Sequence, residues 1–276
     1  MTGARPSCHT AAVPVKPSPS VPAAAATLVL VRDRAPGAVE LLLIQRHRAS
    51  RFAGGDFVFP GGKVELDDAP EDAARWCAGL DGLTAARVLG LSAPRAALAY
   101  WIGAIREAFE EVGILLAYDP SGHSARPEGA RFEDYRRACQ ADHRAFWTML
   151  RAERFVLATD RLRYFAHWIT PEESPLRFDT RFFAAPMPDG QRAVADEREI
   201  VAVRWMTVAE AERARRVGEI TLRTPTIRNL AFFEGAVSAA QALEGLGAEP
   251  IVAIRPRIVT EEGQRRVLLP GDAGYD

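Results

Sequence analysis

Three carboxylates stand at i, i+3 and i+4 in the run Arg106-Glu107-Ala108-Phe109-Glu110-Glu111-Val112-Gly113. On a helix this spacing stacks Glu107, Glu110 and Glu111 on one face. Neighbouring like charges cost about 0.2–0.5 kcal/mol per exposed pair unless a cation lies between them. Hard oxygen ligands of this kind select Mg²⁺ or Mn²⁺, ions that keep several waters and bridge to phosphate. Arg106 is spaced to pair with Glu110 and hold it. An acidic run alone is more often a solvated face than a metal site. Here Ala97, Trp101, Ala104, Ile105, Ala108, Phe109 and Val112 form an apolar stripe on the opposite face. The helix is therefore anchored, and its acids point in a set direction.

A second stretch, Phe59-Pro60-Gly61-Gly62-Lys63-Val64-Glu65, ends an extended run in a Gly-Gly turn. There the backbone can approach a phosphate, or offer a carbonyl to a metal. Such a turn is weak evidence by itself.

Together the two stretches resemble the halves of the Nudix box, Gly-x5-Glu-x7-Arg-Glu-apolar-x-Glu-Glu-x-Gly-apolar. The second half maps without a gap onto Arg106 to Ile114, and the first onto Gly62 with Asp68 in place of the usual Glu. The spacer runs over positions 69–105, where the family has seven residues, so the box is split. A split box is similar to that of one Nudix branch whose eukaryotic members are peroxisomal coenzyme A diphosphatases. Leu42-Leu43-Ile44-Gln45-Arg46, Thr170-Pro171-Glu172, Arg177 to Phe183, Trp205-Met206-Thr207 and Thr224-Pro225-Thr226 extend the likeness over roughly residues 24–245. Arg51, Gly55 and Phe59 keep the spacing of a coenzyme A signature. Ile44 and His47 depart from it and the loop is one residue short, which leaves coenzyme A open as substrate.

The resemblance implies an α+β fold: a Nudix-type α/β/α sandwich with a mixed sheet and helical insertions. It implies one to three Mg²⁺ or Mn²⁺ ions on Glu107, Glu110, Glu111 and the Gly62 carbonyl. Arg106 would orient these carboxylates and Asp68 would brace the loop. Glu199 and Glu197 are candidates for a further carboxylate after the box, as base or metal ligand, each as readily an exposed charge at a strand start. Arg46, Arg51 and Arg181, with Gly61 and Gly62, are candidates for binding substrate, and Arg177 is weighed with them. Ordinary ion pairs are about equally good readings of these arginines. His47 and His167 read as surface or core histidines, and Phe182 and Phe183 as core. The implied reaction is hydrolysis of a diphosphate in a nucleoside-diphosphate-linked compound such as coenzyme A or acyl-CoA. The alternatives are NADH, ADP-ribose or a nucleotide sugar as substrate, or a catalytically silent nucleotide-sensing module. The silent reading fits poorly with retention of all three helix carboxylates.

Several elements must position these residues. Strands are expected at 25–31, 39–45, 56–59, 114–117, 164–170, 181–185 and 200–206. A helix should open with Asp68 as N-cap, and a longer one should run from Pro94 to a capping Gly113. Residues 131–151 read as one polar surface helix. Thr207 and Glu210 form a capping box, and Thr224-Pro225 should cap a last helix reaching about Gly245. The end, 251–269, reads as edge strands with a Glu262-Gly263 turn. Residues 1–22, rich in Pro, Ser and Ala, read as a flexible tail. Residues 23–276 read as one domain with insertions at about 69–98 and 119–160.

The 276 residues carry a formal net charge of −1 and 48% hydrophobic residues. This supports an ordinary core and gives no reason to expect nucleic acid as a partner. The partner expected is a nucleotide-linked small molecule; a homodimer is left open. The apolar run 23–31 is too short to span a bilayer and continues into Arg32-Asp33-Arg34 without a cleavage site. Cys8, Cys77 and Cys139 make no CxxC pair, and Cys139 with His143 offers at most half a metal site. With no peroxisomal signal at Gly274-Tyr275-Asp276, a cytoplasmic setting and no membrane are expected.

Overall fold

The computed structural model describes residues 20–261 and 264–275. Most of the expected tail, residues 1–19, and the Glu262-Gly263 turn lie outside them.

The chain opens with strands β1 (Ala23–Arg34), β2 (Ala38–Arg46), β3 (Phe57–Val58) and β4 (Gly61–Lys63). Helices α1 (Gly82–Leu89) and α2 (Pro94–Val112) follow, then β5 (Ala117–Tyr118), α3 (Ala130–Ala141), α4 (Ala145–Glu153) and β6 (Val156–Leu157). The sheet resumes with β7 (Arg163–Ile169), β8 (Phe178–Pro186) and β9 (Ile200–Met206). Helices α5 (Val208–Arg216), α6 (Thr224–Leu230) and α7 (Ala239–Glu244) precede a closing hairpin of β10 (Arg257–Glu261) and β11 (Gln264–Leu268).

The main sheet runs β3-β2-β1-β8-β7, with β4 also pairing β1 and β9 also pairing β2. It is mixed: β1 is parallel to β8 and antiparallel to β2 and β4. Successive side chains of a strand point to opposite faces, and both faces here are apolar. Leu28, Leu30, Leu42, Ile44 and Phe183 pack toward α2 and the helices after it. Val29, Val31, Leu41, Leu43 and Phe182 pack toward α5–α7. Each face is covered by helices, giving the α/β/α sandwich and α+β class expected, and Phe182 and Phe183 are core residues.

The long helix α2 has the expected bounds, with Pro94 in its first turn and Gly113 as its left-handed cap at φ 72°. Its acids fall on the side away from the core stripe. The capping box of Thr207 and Glu210 is also present.

Other expectations are corrected. Asp68 caps no long helix: it closes a short 3-10 turn, Leu66–Asp68, and its side chain accepts the Glu65 N–H. Residues 114–116 form no strand: the N–H and carbonyl of Leu115 bond the Gln191 side chain instead of a neighbouring strand, and pairing begins only at Ala117, with β6. The polar helix at 131–151 is two helices broken at Asp142–Arg144, the second burying Phe146, Trp147, Met149 and Leu150. The last helix stops at Leu230, and Thr224 lies inside it, Arg223 being the cap. A separate helix, α7, starts from Ser238. The terminal hairpin forms its own two-stranded sheet instead of extending the main one.

No single helix among the described residues is long and apolar enough to cross a membrane. Only α1 and α2 together meet that test, across an 86° bend.

Candidate active site

The loop carrying Gly61 and Gly62 lies beside the last turns of α2, and Arg106 ties the two together. Arg106 is almost fully buried. Its Nε donates to Asp68 Oδ1 at 2.6 Å and its Nη2 to Asp68 Oδ2 at 3.1 Å. Nη2 also donates to the Lys63 carbonyl at 2.8 Å. Nη1 reaches Glu107 at 2.9 Å and Glu110 at 3.2 Å. One guanidinium thus joins the loop, its brace Asp68 and two of the three carboxylates. A planar five-donor fork suits this many-sided contact, which a lysine could not make.

Glu111 is held separately. Its Oε2 accepts the Gly61 N–H at 2.8 Å, and its Oε1 accepts Arg46 Nη1 at 3.2 Å. Arg46 also reaches Glu199 at 3.5 Å. The turn before Glu199 is organised by Asp196, whose carboxylate accepts the N–H groups of Arg198, Glu199 and Ile200. It is pinned to the end of β2 by the His47 N–H on the Glu199 carbonyl at 2.7 Å. Glu197 has a left-handed φ of 62° in this turn, and Asp196, Arg198 and Glu199 line the cleft.

The acids are held against their electrostatic preference. Burial above all lifts the Glu110 carboxyl to about 7, with Glu107 adding repulsion and Arg106 opposing it. Burial also raises Glu107, against the pull of Arg106. Glu111 is raised well above the usual carboxylate range by burial and then by Glu107, with Arg46 and the Gly61 N–H opposing. Burial pulls the Arg106 guanidinium down, but Glu107, Asp68 and Glu110 outweigh that and raise it. The acids also occupy the carbonyl end of α2, where the helix dipole disfavours negative charge. Two residues of α3 answer it: Arg136 donates to the Glu110 and Glu111 carbonyls at 2.9 and 2.7 Å, and Gln140 to the Glu110 carbonyl at 2.8 Å.

Do these residues fit a divalent cation? Among the described residues no three acid, histidine or cysteine side chains already stand close enough to enclose one. Arg106 engages Glu107 and Glu110, while Arg46 and Gly61 engage Glu111. The donor set nevertheless fits: three mutually repelling carboxylates of hard oxygen, Glu111 buried and Glu107 and Glu110 half-buried, line one cleft with Gly62. The Glu107 carboxylate lies flat on Gly62, where an added Cβ would stand 2.6 Å from it. A modest shift of the carboxylates toward added positive charge would relieve their repulsion.

The cleft has a volume of about 980 Å³. Of the candidates read from the sequence, Arg46, Gly61, Gly62, Arg106, Glu107, Glu110, Glu111 and Glu199 all line it. Arg51 does not; it is exposed on the loop after β2. Arg181 does not either: it is buried over the Tyr100 ring and paired with Asp179 and His167. Arg177 donates to the Thr170 and Ser20 carbonyls, holding the chain before β1. His167, on β7, bonds Asp179 at 2.6 Å. Cys139 is buried and its thiol pushed up to about 12 by burial, while His143 lies beyond the helix and bonds Asp67 at 2.7 Å. The Cys139–His143 pair therefore makes no metal site. Sequence reasoning missed Arg136 and Gln140, whose partners are backbone groups on distant segments, and Asp196, whose partners are N–H groups of its own turn.

The NUDT19 Nudix domain matches residues 84–232. The acyl-coenzyme A diphosphatase NUDT19 of Xenopus laevis is 26% identical over 222 residues, covering 69% of this chain and 58% of the relative. Its counterpart from Gallus gallus is 30% identical over 233 residues, covering 69% and 60%. The chain thus spans less than two thirds of the length of these two relatives. Among solved structures, a NUDIX hydrolase from Alicyclobacillus acidocaldarius superposes with a TM-score of 0.69 at 26% identity, covering 84% of this chain and 99% of that one. With more than half its length matched, the chain belongs to the NUDT19 Nudix-domain family.

Proposed function

We propose that this protein hydrolyses the diphosphate of coenzyme A or an acyl-CoA with the help of Mg²⁺ or Mn²⁺. The observation that carries this reading is the meeting of Glu107, Glu110 and Glu111 with the Gly61-Gly62 bend in one cleft, in a chain whose relatives are named acyl-coenzyme A diphosphatases. Glu107, Glu110, Glu111 and the Gly62 carbonyl would hold the cation. When bound, such an ion neutralises the diphosphate and lowers the pKa of an attacking water.

The chain's own groups supply positioning and charge, which is most of what phosphoryl transfer needs. Arg106 aims Glu107 and Glu110. Gly61 fixes Glu111 through its N–H, and its neighbour Gly62 leaves room for the Glu107 carboxylate. Arg46, on the cleft wall beside Glu111, would meet substrate phosphate. Glu199, largely exposed and within reach of Arg46, is the group to take the proton of the water. The water oxygen joins one phosphorus, and the bridging oxygen leaves with the other phosphate. Arg51 and Arg181 lie outside the cleft and take no part in this scheme.

Residues 23–276 act as one unit in this reading, and the insertion at 119–160 contributes Gln140, His143 and Arg144 to the cleft wall. The insertion at 69–98 carries α1 against α2. A cytoplasmic setting is supported by Cys77 and Cys139, both free. A homodimer stays compatible with the reading.

A hydrolysis screen tests the proposal, using coenzyme A, acyl-CoAs, NADH, ADP-ribose and a nucleotide sugar with Mg²⁺ and Mn²⁺. Coenzyme A compounds should be turned over best, and Glu111→Gln should lose nearly all turnover. Preference for NADH or ADP-ribose would reassign the substrate, and no turnover of any compound would favour a silent sensor.

A further inference from the structure

Besides the carboxylates, the cleft is lined by apolar residues, some of them from the closing hairpin. Ile258 and Val267 are Cα partners across β10 and β11. Side chains of directly opposed residues share one face of a hairpin, and both of these line the cleft, with Pro256. Val267 remains 47% exposed, an apolar side chain left open on a surface that faces the cleft. Phe52, Trp168, Ile169, Phe178 and Phe182 line the same cleft. Phe52 and Phe178 meet edge to face at 5.0 Å. Arg223, which also lines the cleft, is committed to Asp56 at 2.7 Å.

The hairpin is held in place. Ile254, just before it, accepts the Ile169 N–H and donates to the His167 carbonyl, each at 2.9 Å, so the segment runs beside β7. Tyr275 anchors it from the other end by donating to the Arg255 carbonyl at 2.6 Å. These residues lie beyond the stretch matched by the family, 84–232.

We propose that Ile258 and Val267 form the wall of a subsite for the apolar acyl arm of a coenzyme A thioester, so that the hairpin sets acyl-chain preference. The inference rests on the coenzyme A reading of the cleft. Coenzyme A and its thioesters share the uncharged pantetheine arm on the diphosphate; only the acyl group at the far end of that arm adds a wholly apolar chain, which these two aliphatic groups and the aromatic rings of the same cleft could cover. Removing apolar area there should cost affinity for the arm in proportion to the area lost.

The test compares kcat/KM for octanoyl-CoA and for coenzyme A in wild type, Val267→Ser, Ile258→Ser and the double variant, with Gln264→Ser as an exposed hairpin control. Octanoyl-CoA should be preferred by the wild type. The ratio of the two constants should fall about tenfold in the double variant and about threefold in Val267→Ser, and hold in the control. An unchanged ratio in Val267→Ser and Ile258→Ser contradicts the subsite. Calorimetric titration of both compounds into Glu111→Gln, with and without the hairpin changes, separates the two levels. Acyl-dependent binding lost with the hairpin changes, but without hydrolysis by the wild type, would support the subsite and overturn the proposed reaction. Binding of neither compound would overturn both.

Discussion

Arg106 shows how much of this site depends on one side chain. It is buried among Asp68, Glu107 and Glu110, and removing one partner of a buried ion network leaves the rest uncompensated. Arg106→Met should cost about 3–5 kcal/mol in urea unfolding, and adding Asp68→Asn should recover part of that loss. The two glycines separate structure from chemistry. Gly61 has φ +155°, and a Cβ there would run into the Ala26 carbonyl and Thr27 backbone, which cannot move aside. Gly61→Ala should therefore lower stability by about 1–3 kcal/mol. At Gly62 the nearest obstacle is the Glu107 carboxylate. Gly62→Ala should keep its melting temperature within a few degrees while losing at least tenfold in metal-dependent turnover. Glu107, Glu110 and Glu111 are all raised and share the pH dependence. The Glu110 carboxyl is raised from 4.5 to about 7, so the folded protein holds a proton that the unfolded chain releases. The stability this gives is full below about pH 4.5 and is lost as pH climbs through 7. A cation must displace the same proton, so Mn²⁺ should bind more tightly at pH 8 than at pH 6 in calorimetric titration.

At the scale of elements, α2 carries the site and α3 holds its end. The bounds of α2 were legible because they are local: Pro94 opens the helix, Gly113 closes it and an apolar stripe runs between them. The acid triplet could be read for the same reason, since i, i+3 and i+4 share a face on any helix. Where a long-range contact decides, the sequence was silent. The break at Asp142–Arg144 follows from burial of Phe146 and Trp147 and from the His143 bond to Asp67, neither visible as periodicity. Arg136 is the clearest case. Nothing on its own helix marks it, yet it closes the carbonyls under Glu110 and Glu111. Arg136→Ala should cost about 2–3 kcal/mol, as expected for charge-assisted hydrogen bonds left unmade. It should also lower kcat more than it raises KM, because the carboxylates lose their setting while the cleft wall stays.

Across the whole molecule, the sandwich places two distant stretches in one cleft, and that assembly was legible only through the likeness to a known box. Periodicity indicated that the face bearing Glu107, Glu110 and Glu111 looks away from the core. It could not show that Arg46, at the end of β2, meets Glu111 from 65 positions away. Motif spacing also brought in Arg51, which the loop after β2 leaves on the surface, and Arg181, which the sheet turns inward to Asp179. The insertions that split the box were visible as extra length, but their part in walling the cleft belongs to tertiary packing. The most direct test of the account is thermal unfolding with and without Mn²⁺ for wild type and for Glu107→Gln/Glu110→Gln. Mn²⁺ should raise the wild-type melting temperature by several degrees and leave the double variant unmoved. Equal shifts in both proteins would mean that the cation binds elsewhere and that the acid face of α2 is not the metal site.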